Sequence, residues 1–114
     1  MTRHDEDVRL RHMLMAAQEA VELSRGLSRD DLGRQRTTEL ALIKLVETVG
    51  EAASRVPKET QGRAPEIPWA QIVTMRHRLV HGYDAVDLDV LWSTVTEDLP
   101  ELVPLLEKLL SDDY

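Results

Sequence analysis

Two residues in the segment 75–83 have side chains that could do chemistry together. Arg76 stands five positions before His81, with His77 and Arg78 between them and Gly82 and Tyr83 directly after. A guanidinium keeps its proton at any ordinary pH and can hold a phosphate as charge builds on it. A histidine can take the proton of a ribose 2′-hydroxyl, or give one to the leaving oxygen. An arginine beside a titrating histidine is what metal-free RNA cleavage requires. The spacing alone is a weak signal, because this pair arises often by chance.

The residues ahead of the pair position it. Ile67-Pro68-Trp69-Ala70-Gln71-Ile72-Val73 opens a helix, with Pro68 suited to its first turn. At about 100° per residue, Trp69, Ile72, Val73, Met75, Leu79 and Val80 fall on one broad apolar face. Arg76 falls inside that face and His81 on nearly the opposite side. A buried Arg76 needs an acidic partner, a phosphate or a crevice; otherwise its stem packs and its head snorkels to solvent. Gly82 is a natural helix stop, which places His81 in the last turn, near the carbonyl end. That end favours the imidazolium, while Arg76 and Arg78 oppose it, so a titration near neutrality is expected. A regular helix would hold Arg76 and His81 roughly 140° apart on the wheel. One protomer then makes a poor site, and a two-fold dimer would gather an arginine and a histidine from each chain around one cleft. A homodimer with an inactive monomer is the expectation.

Other chemistries fit less well. His77, His81 and Asp84 would share a face only if the helix ran on past Gly82, so a metal site is not expected there. His4 and His12 belong to another helix. The chain has no cysteine, which excludes disulfides, thiolate ligands and a thiolate nucleophile. It has no glycine-rich phosphate loop, so nucleotide hydrolysis by this chain alone is not expected, nor is any cofactor. Trp69, Trp92 and the leucine stripes read as core. Glu51 is an acid that could face the motif helix and neutralise Arg76 or orient His81; the alternative is an ordinary exposed glutamate.

At 114 residues the chain suits one domain with a single core. Residues 5–25 carry apolar positions at helical spacing. Ser28, with Asp30 and Asp31, caps a second helix that keeps Leu42, Leu45, Val46, Val49, Ala52, Ala53 and Val56 on one face until Pro57 closes it. Gly33 interrupts its beginning, and Gly50 permits close helix approach. Residues 57–67 read as a peripheral loop whose Lys58 or Arg63 could touch RNA. After the motif helix, Asp87 caps a fourth helix with Leu91, Trp92 and Val95. Pro100 and Pro104 either kink it or separate a last short helix. Nothing alternates with the period of a strand. The fold class is all-α, a four- to five-helix antiparallel bundle spanning residues 1–114.

The net charge of −7, from 14 basic and 21 acidic residues, argues against broad non-specific binding of nucleic acid. A small local basic patch can still serve one scissile phosphate. No apolar run approaches the roughly 20 residues of a membrane span, and residues 2–7 do not form a signal peptide; a soluble cytoplasmic protein is the expectation.

The wider sequence makes the motif specific. Arg76-His77-Arg78-Leu79-Val80-His81-Gly82-Tyr83 resembles the arginine–polar–spacer–histidine motif of the HEPN superfamily, and Tyr83 looks like the version carried by HepT-like toxins. Val49-Gly50-Glu51-Ala52, Ile67-Pro68-Trp69, Val86-Asp87-Leu88, Leu91-Trp92 and Asp98-Leu99-Pro100-Glu101-Leu102 are similar to that family too. The resemblance spans roughly residues 7–111. It implies a helical bundle that dimerises through its motif helices. It also implies a metal-independent endoribonuclease toxin in which Arg76 holds the phosphate, His81 acts as acid or base, and His77 and Arg78 support them. The family's commoner residue after the arginine is asparagine, and here it is His77. In such systems the motif tyrosine accepts AMP from a small nucleotidyltransferase antitoxin, which on this chain would be Tyr83. Added phosphates would place negative charge and bulk where the RNA phosphate must bind. The other reading is a non-catalytic helical companion that docks with the nucleotidyltransferase and helps position its substrate.

Overall fold

The computed structural model describes residues 2–81 and 85–112, with His81 described through its backbone. Helix α1 (Arg3–Ser24) opens on a reciprocal cap, the Thr2 hydroxyl accepting from the Asp5 amide and the Asp5 carboxylate accepting from the Thr2 amide. Its buried stripe of Leu10, Met13, Ala17 and Ala20 recurs every three or four residues and packs mainly on α3 (Arg36–Ser54) and α8 (Leu99–Asp112). Leu42, Val46, Val49 and Ala53 of α3 and Leu106 of α8 complete this central layer, each fully buried. Every such leucine contributes about 1.5–3 kcal/mol relative to exposure.

The expected single second helix is two. Ser28 starts α2 (Arg29–Arg34), its amide donating to the Asp31 carboxylate at 2.8 Å. The interruption falls at Gln35, with φ −113 and ψ 82, rather than at Gly33. Part of the expected loop 57–67 is a one-turn helix, α4 (Lys58–Gly62), which buries Thr60.

The motif segment comprises α5 (Trp69–Val73) and α6 (Met75–Leu79), separated by Thr74. The Thr74 hydroxyl donates to the Ala70 carbonyl at 3.0 Å, a bond that competes with the helical ladder and bends helices. Trp69, Ile72, Met75 and Leu79 are the buried positions, and the Trp69 indole donates to the Ala64 carbonyl at 3.1 Å. Val73 is left exposed, so the apolar face is narrower than the periodicity predicts.

Two short strands follow, β1 (Val80–His81) and β2 (Ala85–Val86), antiparallel with Val80 opposite Val86 and His81 opposite Ala85. No strand was expected, because a two-residue pairing leaves no alternation to read. Asp87 caps α7 (Leu88–Ser93) as predicted, its carboxylate accepting from the Asp89 and Val90 amides. A π-turn (Thr94–Asp98) joins α7 to α8. It answers the question posed by the prolines: Pro100 has no amide to donate, and its ring would clash with the Thr96 carbonyl in a regular helix, so the chain widens by one residue just before it. Pro104 sits inside α8. The fold is all-α, with one small hairpin as its exception.

Gly50 sits where α3 meets α5. A Cβ there would stand 3.1 Å from the Ile72 carbonyl oxygen and 3.6 Å from that of Val73. These are backbone atoms and cannot swing aside, so Gly50→Val is expected to cost about 2 kcal/mol by overpacking. Urea unfolding, with an unchanged slope and a lower midpoint, measures it.

Candidate active site

Helix α6 ends at Leu79, two residues earlier than the glycine signal predicts. Val80 takes an extended conformation (φ −104, ψ 120), its amide donates to the Arg76 carbonyl, and the Asp87 amide donates to the Leu79 carbonyl at 2.8 Å. The hairpin therefore uses one of the carbonyl groups expected to act on His81, and His81 stands on β1 rather than in a last helical turn. The wheel angle between Arg76 and His81 no longer applies, and neither does the helical spacing that would align His77 and His81 on a metal. The His81 side chain, Gly82, Tyr83 and Asp84 lie outside the described residues, so the Tyr83 expectation and the third metal ligand have no structural counterpart here.

Arg76 is not inside the apolar face. Its side chain flanks the Met75–Leu79 stripe with 55% exposure, and its Nε lies 3.3 Å from Oε1 of Glu47 on α3. Glu51 does not neutralise it. Glu51 is exposed and accepts from Nε and Nη2 of Arg55, one turn along the same helix, at 3.0 and 2.8 Å. Glu47, not anticipated from the sequence, is the acid that faces Arg76. A signal for it exists: Glu51 has an arginine at the i+4 position ready to claim it, and Glu47 lies one turn earlier on the same stripe.

The two arginines of the motif point to different clefts. Arg76 lines a groove of about 390 Å³ between α3 and the hairpin, floored by Leu40, Ile43, Val80, Val86 and Leu88 and rimmed by Arg36, Glu39 and Glu47. Arg78 lines a second cleft, of about 220 Å³, between α5–α6 and α8, with Glu66, Asp98 and Glu101 around it. Its Nη2 lies 3.9 Å from the Asp98 carboxylate, which the π-turn delivers to that side. His77 is exposed and lines neither cleft. Lys58 and Arg63 are exposed at α4 and its cap and line neither. Among the described residues, no three histidines or acids gather as a metal site. No helix among them is long and apolar enough to cross a membrane.

A half-exposed guanidinium on the lip of an apolar groove, just ahead of a histidine on a strand, is suited to hold a phosphodiester at a solvent-accessible edge. Residues 13–109 match the family model described as "Ribonuclease HepT-like". A Thermococcus cleftensis protein named "Probable ribonuclease HepT" is 40% identical over 95 residues, covering 80% of this chain and 86% of its own. Two further relatives are named as candidate RNases. The one from Caldanaerobacter subterraneus subsp. tengcongensis is 29% identical, with 91% of this chain and 93% of the relative covered. The other, from Methanocaldococcus jannaschii, is 26% identical, with 98% and 97% covered. No solved structure matches the chain at a significant level. The match over residues 13–109 covers both α3 and the motif, and the chain belongs to the HepT-like ribonucleases, the HEPN-type helical family that its sequence resembles.

Proposed function

We propose that this chain is a metal-independent endoribonuclease toxin that cleaves RNA by attack of the ribose 2′-hydroxyl on the adjacent phosphate. The observation that carries this reading is Arg76, a half-exposed guanidinium at the mouth of the α3–hairpin groove in a chain of HepT-like descent. Arg76 binds the scissile phosphate and stabilises the charge that builds on it. His81 takes the 2′-hydroxyl proton or protonates the leaving 5′-oxygen, and the products are a 2′,3′-cyclic phosphate and a free 5′-hydroxyl. A guanidinium and an imidazole together supply charge and proton transfer, the two functions a metal-bound water would otherwise serve.

The active species is a homodimer. The groove beside Arg76 is apolar on its floor and carries both signs of charge on its rim: Arg36 and Arg76 against Glu39 and Glu47. A patch bearing both partners of its own ion pairs is self-complementary, as a two-fold interface requires. Leu40, part of this lining, is 48% exposed in the single chain. A nucleotidyltransferase antitoxin silences the enzyme by transferring AMP to Tyr83, two residues beyond His81, where new phosphate charge competes for the arginine.

The test is cleavage of a defined RNA in EDTA by protein whose Tyr83 is shown by mass to be unmodified. The expected result is cleavage with cyclic phosphate ends. Failure to cleave would sink the ribonuclease reading and favour a non-catalytic companion of the nucleotidyltransferase, a role that suits the net charge of −7.

A further inference from the structure

We propose that Glu47 is a positioning residue for Arg76, an inference that rests on the ribonuclease reading above. A guanidinium has two edges that can each meet a flat pair of oxygens: a side edge, made by Nε and one Nη, and an end edge, made by the two Nη groups. Glu47 approaches the side edge, with Oε1 at 3.3 Å from Nε. Among the described residues no other acid is paired with this guanidinium, so the end edge is left for a phosphate. One carboxylate thus fixes the direction in which Arg76 presents its remaining donors.

The placement on α3 supports this role. Glu47 follows Val46 and lies ahead of Val49, both fully buried, and of Gly50, where α3 closes on the carbonyl oxygens of Ile72 and Val73. The acid is therefore mounted on a core helix, three residues from the close approach of Gly50 to the Ile72 carbonyl. Its own side chain is 32% exposed, against 55% for Arg76, so the more enclosed carboxylate orients the more exposed guanidinium. Glu51 cannot substitute, because Arg55 occupies its carboxylate. A carboxylate this close also opposes an incoming phosphate by charge, so its contribution lies in orientation at the reacting geometry and not in affinity.

Two measurements on the full chain test the proposal. In the first, the Nε–H resonance of Arg76, identified by its loss in Arg76→Lys, is followed by nitrogen relaxation in the parent, Glu47→Gln and Glu47→Ala. The signal is expected to be rigid in the parent and Glu47→Gln, whose amide oxygen can still face Nε, and mobile in Glu47→Ala. Equal mobility in parent and Glu47→Ala overturns the proposal, whether or not the protein cleaves RNA. In the second, cleavage in EDTA is resolved into kcat and KM. Glu47→Ala is expected to lose about 10- to 100-fold in kcat without a rise in KM, and Glu47→Gln to recover most of that loss. A parental kcat in Glu47→Ala, or a faster one, overturns positioning and makes Glu47 a bystander or a competitor. If the parent itself does not cleave, the ribonuclease reading falls, and the relaxation data still decide whether Glu47 orients Arg76.

Discussion

Arg76→Ala is expected to slow RNA cleavage by about 100- to 1,000-fold, the usual effect of removing one donor aimed at developing charge. The loss should appear in kcat and in RNA affinity together, because in the proposed mechanism the same guanidinium meets the phosphate before and during the reaction. Arg76→Lys should recover part of the affinity and little of the rate: an ammonium restores the charge without the planar fork that Glu47 engages on one edge. Folding should be nearly untouched. The ion pair is half exposed, and pairs of that kind contribute about 0–1 kcal/mol. Single-turnover cleavage in EDTA, alongside thermal unfolding of each variant, separates the effects. A parental rate in Arg76→Ala would remove the arginine from the mechanism.

Much of the fold was legible because long helices write their period into the sequence. Helix α1 covers nearly the range its period predicts, α3 ends at Ser54 just short of Pro57, and Asp87 caps α7 where its residue type places it. What the sequence hid was local competition. Val80 could continue a helix or begin a strand, and only pairing with Val86 settles it. The identity of the acid facing Arg76 was hidden for a related reason. Glu47 and Glu51 lie one turn apart, about 40° around the helix, so a wheel cannot rank them. Arg55 ranks them by claiming Glu51. The π-turn was hidden because Pro100 only says that a regular ladder must yield, not how.

Helix α3 is the platform on which these details converge. It lends Leu42, Val46 and Val49 to the core, Gly50 to the approach of α5, Glu47 to Arg76, and Leu40 and Ile43 to the groove floor. A substitution in α3 can therefore change the site without touching the motif. The two sides of α6 divide the work. Arg76 faces the apolar groove, while Arg78 is drawn to Asp98 in a cleft with three acids, a poor place for a second phosphate contact. Arg76's groove carries two arginines against two acids, Arg36 and Arg76 against Glu39 and Glu47, so its lining is locally balanced although the chain's net charge is −7.

His81→Ala is expected to lose about 100- to 10,000-fold in cleavage rate while binding RNA nearly as well as the parent. The contrast with Arg76→Ala is the informative part. An imidazole that moves a proton acts on the transition state alone, so its removal should lower kcat and kcat/KM equally and leave KM in place. His81 stands on β1, opposite Ala85, so its backbone is fixed by the hairpin and not by a fraying helix end. Substitution there should leave the strand pairing and the unfolding midpoint intact. Residual cleavage should still yield a cyclic phosphate, since the 2′-hydroxyl attacks with or without help. Loss of RNA binding in His81→Ala would instead make the histidine a phosphate contact like Arg76, and the proton transfer would then need another group. Undiminished growth inhibition by His81→Ala would remove it from the proposed toxin mechanism altogether.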